Sequence, residues 1–154
     1  MAAFNRIGWP LCAEIYSREV RREGISHDEA LRRLGIRDAH FIEQIGWTVH
    51  AITDEPTAHT HGLEENYGHP DIQVWIPTNH RKQYELLATV AEAVKAGRRY
   101  EAGKEYDDLF NVPVRFVERE ECGRRVLRLI VPDPNGMFPD DPGCMPGYDM
   151  QLHD

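Results

Sequence analysis

Residues 47–77 read WTVHAITDEPTAHTHGLEENYGHPDIQVWIP, and their periodicity decides the fold. Over WTVHAIT the side chains alternate, with Trp47, Val49 and Ala51 on one side and Thr48, His50 and Ile52 on the other, the two-residue period of a strand. DEPT is turn chemistry. AHTHGL resumes as a second strand until Gly62 breaks it, ENYGHPD supplies a loop, and DIQVWIP makes a third strand ending at Pro77.

Towards the C-terminus, Thr78 or Asn79 caps a helix that runs to about Lys95. Tyr84, Leu87, Val90, Ala91 and Val94 recur at helical spacing, so this helix lays one apolar face on a sheet, and Gly97 ends it. After RRYEAGKEYDD, two strands near VPVRFVE and RVLRLIV flank the turn-like EECG and pair as an antiparallel hairpin. From Pro132 onward the chain is too rich in proline and glycine for regular structure, and it wraps the surface or stays mobile.

Towards the N-terminus, residues 10–24 suit a short helix with Leu11, Ile15 and Val20 inward and Gly24 as its stop. SHDE at Ser26 is a capping-box pattern: the Ser26 hydroxyl accepts from the Glu29 amide and the Glu29 carboxylate returns to the Ser26 amide. Ala30, Leu31 and Leu34 follow as an apolar stripe, with Gly35 as a C-terminal cap. A further helix over Asp38–Ile45 presents Phe41, Ile42 and Ile45 and stops at Gly46. Two short helices around a glycine invite a helix-turn-helix reading. The second helix, however, offers an acidic and apolar face rather than a basic or amide-rich one.

The element order gives an α+β fold: a helical N-terminal segment, then a mainly antiparallel sheet with one long helix packed on it. One domain is expected, with residues 1–37 as an N-terminal extension, 38–139 as the core and 140–154 as an irregular tail. At 154 residues and 41% hydrophobic content the chain can bury a sizeable core, and its net charge of −8 disfavours nucleic acid and anionic membranes as partners. Cys12, Cys122 and Cys144 are odd in number and lack a CxxC pair, which speaks against a disulfide framework or a thiolate zinc site and for a reducing, cytoplasmic setting. No apolar window approaches the roughly 18 residues of a membrane span.

IEQIGWTVHAITDEPTAHTHGLEENYGHPDIQVWIP, followed by a helix and then LIVPDPNGMFP, resembles domain-of-unknown-function family 4262, small and mostly bacterial proteins. The likeness rests on Gly46 and Trp47; on Thr60, Gly62 and Leu63; on Gly68, His69, Pro70 and Asp71; and on Pro132, Asp133, Gly136, Phe138 and Pro139. It covers about residues 38–139 and implies a fold more than an activity. Among the histidines only His69 falls on a family motif; where His59 and His61 stand, the family usually has an aromatic and an aliphatic residue, and its acid after Pro70 is more often glutamate.

Three constellations carry chemistry. On a strand, His59 and His61 face the same side about 6–7 Å apart, close enough to share one ion. His69 completes a three-histidine set for zinc or another divalent metal if the intervening loop folds back, with Asp71 beside it. The opposing reading is one pocketed histidine and two ordinary strand residues. In GHPD, His69 is a general acid or base oriented by Asp71 or Asp133, or else a turn residue bonded to a backbone carbonyl. In PDPNGMFP, Asp133 and Gly136 are strong turn chemistry that leaves Phe138 to wall a pocket. No nucleophile elbow, phosphate loop or dinucleotide motif is present.

The leading expectation is a binding or accessory domain for a small molecule or a protein. Its site would lie between the Gly68–Asp71 and Asp133–Phe138 turns, with His69, Asp71 and Asp133 as the catalytic candidates. The alternative is a metal-assisted hydrolase on His59, His61 and His69, with Asp71 or Glu65 moving the proton. A helix-turn-helix regulator comes third.

Overall fold

The computed structural model describes residue 24 and residues 26–51, 55–121 and 123–153. The helix expected over residues 10–24 lies, apart from Gly24, outside the described residues. Its neighbour is longer than expected. Residues His27–Gln44 form one continuous helix, α1, that passes straight through Gly35.

The Ser26 side chain accepts from the Glu29 amide at 3.2 Å as the capping pattern requires, but the Glu29 carboxylate turns to Arg32 and Arg33 instead of returning to Ser26. Leu34, Asp38 and Ile42 are buried at four-residue spacing, so one inward stripe spans both halves of the helix. A glycine inside a helix costs about 1 kcal/mol relative to alanine, and burial along that stripe offsets it. The turn on which the helix-turn-helix reading depended is therefore absent from this stretch.

Beyond Trp47 the alternation gives strands β1 (Thr48–Ala51), β2 (Thr57–His61) and β3 (Ile72–Trp75), each antiparallel to the one before. Between β2 and β3 the expected loop is partly helical: Leu63–Tyr67 make a short turn of helix, α2, bounded by Gly62 and Gly68, both with positive φ. Leu63 is its buried anchor.

Helix α3 covers His80–Lys95, with the Asn79 side chain accepting from the Lys82 amide at 2.8 Å. Leu87, Val90, Ala91 and Val94 are buried as expected, joined by Gln83 and Leu86, while Tyr84 lies half out and meets Trp47 in a tilted contact at 6.0 Å between rings. Arg98 donates to the Ala93 carbonyl across Gly97, closing the helix.

Strands β4 (Glu105–Tyr106), β5 (Val114–Glu121) and β6 (Arg124–Ile130) finish a six-stranded sheet of order β1-β2-β3-β6-β5-β4. Its pairings are antiparallel except β3 with β6, which run parallel at the centre. The fold is thus α+β with a mixed, mainly antiparallel sheet. Among the described residues no helix is long and apolar enough to cross a membrane.

The two faces of the sheet differ in chemistry. Val49, Ala58, Ile72, Val74, Leu127, Leu129, Val114 and Phe116 meet α3 in one apolar cluster. The alternate positions, among them Thr48, His50, Thr57, His59, Gln73 and Arg128, are equally buried but polar. Helix α1 reaches this second face through Asp38, and the chain's end reaches it through a 3-10 helix over Tyr148–Leu152. That end is anchored rather than loose: Gln151 gives and takes hydrogen bonds of 2.8 Å with the backbone of Val131, as a further strand residue would.

Candidate metal centre

On the polar face, β1 and β2 pair with His50 directly opposite His59, while His61 stands two residues along β2 from His59. The strand period therefore points all three imidazoles the same way. One ligand atom from each lies within 4.8 Å of the others, and the Nε2 atoms of His59 and His61 are 3.0 Å apart. The rings are packed edge-to-face or tilted, 4.4–5.5 Å between centroids.

Carboxylates hold two of the three rings from behind. His50 places Nε2 at 2.8 Å from Oδ2 of Asp38, and His59 places Nδ1 at 2.9 Å from Oε1 of Glu121. A carboxylate accepts, so each ring carries its proton on that side and turns a lone pair to the other. Arg37 fixes Asp38 in turn, at 3.0 Å, while also bonding the Thr48 hydroxyl and the Val49 carbonyl on β1.

Exposure is 8% for His50, 0% for His59 and 1% for His61. Burial lowers the pKa of His50 against the pull of Asp38. It lowers that of His61 as well, aided by His59 and Arg124. Burial works to raise the pKa of Glu121, but the His59 ring and the Gln73 amide more than offset it and the carboxyl titrates below its usual range. Burial thus favours the neutral ring at His50 and His61, the form in which imidazole binds a metal, while the Glu121 carboxylate stays charged behind His59.

A family model described as "Domain of unknown function (DUF4262)" matches residues 41–145. The chain belongs to this family. No curated protein and no solved structure matches it. The DUF4262 match takes in the three histidines, Glu121, His69, Asp71 and Asp133, while Asp38 and Arg37 precede it.

In this DUF4262 domain His69 does not join the other two expected ligands, and His50 takes the third place. The His69 ring is used on both sides: Nδ1 donates to the Pro70 carbonyl at 2.8 Å, and Nε2 accepts from the Tyr100 amide at 3.1 Å. Helix α2 carries the chain past the histidine face instead of folding the loop back onto it.

Asp71 is a framework node. Its carboxylate takes the Thr60 hydroxyl at 2.8 Å, the Leu63 amide at 3.1 Å and the Arg124 guanidinium at 2.5 Å, with no exposure to water. Asp133 likewise organises its turn, accepting from the amides of Asn135, Met137 and Met145 at 2.9 Å each. Burial opposes its charged form, but those amides prevail and its pKa is lowered.

The two turns expected to flank a site lie at opposite ends of the central strand pair. Ile72 is level with Leu127, so His69 and Asp71 sit before that point. Strand β6 then runs on to Ile130, about 10 Å further, before the Asp133 turn begins. Phe138 packs under the guanidinium of Arg115, 3.8 Å from ring centroid to carbon, away from His69.

His50, Asp38 and Glu121 were the residues missed. Alternation had already placed His50 on the right side of its strand, and counting back symmetrically from the DEPT turn sets it opposite His61, on the same face as its observed partner His59. For Asp38 and Glu121 there was no local signal, since both come from distant elements. A cleft of about 430 Å³ opens at the β5–β6 turn, lined by Glu118, Arg119, Glu120, Gly123, Arg124 and Arg125, next to Glu121 in the chain.

Proposed function

We propose that the protein is a metal-binding domain whose function runs through a divalent ion of the zinc class held by His50, His59 and His61. The observation that carries this reading is the convergence of three buried ring nitrogens within 4.8 Å, with carboxylates behind two of the rings. Imidazole suits zinc, iron, copper and nickel. Tetrahedral zinc at 2.0–2.1 Å needs about 3.3 Å between donor nitrogens. His59 and His61, 3.0 Å apart, need to part by only a few tenths of an ångström, whereas the set as a whole spans up to 4.8 Å and the His50 ring must close in by more than an ångström to join them.

Three protein donors leave a four-coordinate ion one position for water or a small ligand, and a zinc-bound water loses its proton near neutral pH. The reading thus extends to metal-assisted hydrolysis of a small molecule, with His50 where His69 had been expected. Of the two carboxylates considered for proton transfer, Asp71 is fully engaged. Glu65 supports the role better: its pKa is raised by burial and its Oε2 lacks a hydrogen-bond partner.

Metal analysis tests the reading. Protein purified without added metal and then reconstituted with zinc is compared with His50→Ala, His59→Ala and His69→Ala. Stoichiometric metal is expected in the parent and in His69→Ala and is lost from the other two. A parent chain that retains none of zinc, iron, copper, nickel or manganese sinks the metal reading and leaves a binding or accessory role for a small molecule or protein. Hydrolysis of an activated ester by the zinc form, absent from His59→Ala, tests the catalytic extension.

A further inference from the structure

The centre does not end at Glu121. Its second oxygen, Oε2, accepts from Nε2 of Gln73 at 2.6 Å, and Oε1 of the same Gln73 accepts from Nε of Arg128 at 2.6 Å. Arg128 then donates through Nη1 to the Gln151 carbonyl at 2.8 Å and to the His153 carbonyl, and its guanidinium lies 4.9 Å over the Trp75 ring. From the 2.9 Å contact of His59 with Glu121, a row of hydrogen bonds therefore crosses β5, β3 and β6 to the C-terminal 3-10 helix.

Its direction is fixed chemically. Arginine only donates and a carboxylate only accepts, so Gln73 has one orientation between them: oxygen to Arg128, amide nitrogen to Glu121. From the other side, the His59 ring gives its Nδ1 proton to the same carboxylate. Gln73 and Arg128 are both nearly inaccessible to water. Rows of this kind in low dielectric polarise one another, and breaking one link leaves a buried group unpaired.

We propose that Gln73 and Arg128 are positioning residues of the metal centre, and that occupancy of the centre is coupled to the order of the C-terminal segment Tyr148–His153. The inference rests on the metal-centre reading. A bound cation draws electron density from His59, which strengthens its bond to Glu121 and tightens the row as far as the carbonyls that Arg128 holds. By linkage, loosening that segment weakens the metal by the same factor.

Amide hydrogen exchange of the full chain, with and without zinc, reads this directly, together with zinc affinity by chelator competition. In the parent, zinc is expected to slow exchange across residues 148–153 several-fold. In Gln73→Met, which keeps the bulk but neither bond, zinc binds about 10–100-fold more weakly and no longer slows exchange there. Arg128→Lys serves the same comparison if Gln73→Met does not fold, because lysine keeps the charge but has no Nε fork. Zinc binding with exchange at 148–153 unchanged, or changed equally in the variants, overturns the coupling and leaves the metal centre standing. Failure of the parent to bind zinc overturns both.

Discussion

Nδ1 of His59 stands 2.9 Å from Oε1 of Glu121, although the two residues are 62 positions apart and meet only because β2 and β5 flank the central strand pair. That bond selects the tautomer that leaves Nε2 of His59 for an ion. Glu121→Gln keeps the shape but sets an amide nitrogen against either the His59 proton or the Gln73 amide. It should weaken zinc about 10–100-fold and also lower the melting temperature of the metal-free protein, because a buried donor is left facing a donor, measured by chelator competition and by thermal unfolding.

The Asp71–Arg124 pair predicts a different outcome. Both groups are buried, and the carboxylate also holds the Thr60 hydroxyl and the Leu63 amide. Asp71→Asn leaves the guanidinium without its counter-charge, and removing one member of a buried pair costs about 3–5 kcal/mol. Chemical denaturation should show this as an early midpoint. A loss under 1 kcal/mol would mean that water reaches the pair.

Gly62, at the junction of α1, β1 and β2, and Gly143, in the C-terminal segment, should be unequal under alanine substitution. A Cβ on Gly62 would lie 2.5 Å from Cδ1 of Ile42 and 2.8 Å from the Gly46 carbonyl, at a φ of +108°. Gly143 has a similar φ of +86° but nothing within 4 Å. Gly143→Ala should cost about 1–2 kcal/mol from backbone strain alone. Gly62→Ala should cost clearly more, and equal losses would show that the junction yields.

Stability should fall on mild acidification. The pKa values of His50, His61 and His69 are all lowered, in each case chiefly by burial. A histidine with a folded pKa below its unfolded value of about 6.5 binds more protons when unfolded, so stability is full above that pH and is lost as pH falls below it. Each such group adds a slope of up to about 1.4 kcal/mol per pH unit. Denaturation midpoints taken in chelator at pH 7.5, 6.5 and 5.5 should therefore drop, and less so in His69→Asn. The pKa of exposed Glu29, lowered to about 2 by hydrogen bonds from Arg32 and Arg33, acts only in stronger acid.

Much of this was legible in the residues because it is local. Alternation over 47–51 and 57–61, the cap at Asn79 and the spacing from Leu87 to Val94 each report a period or a turn. Gly35 misled, because a glycine marks a helix end only when no buried stripe continues beyond it, and Asp38 hid that stripe by being a buried acid. His69 misled for a related reason. Its family-like motif marks a backbone constraint, the Pro70 carbonyl and the Tyr100 amide, and carries no ligand.

What joined the site together was not local. Asp38 looks like an ordinary charged residue of a helix until α1 is laid beside β1, and Glu121 like one of a hairpin until the parallel pairing of β3 with β6 is known. That pairing brings together residues as far apart as Gln73 and Arg128.

The same parallel seam divides the chain into two meanders, β1–β3 and β4–β6, joined by α3. All three imidazoles belong to residues 50–61, on the first meander, whereas Glu121, Arg124 and Arg128 belong to the second. A nascent hairpin of β1 and β2 thus holds the whole donor set before its partner exists. An ion captured at that stage would gain its carboxylate backing only when the meanders close, so its affinity would report the assembly of the sheet.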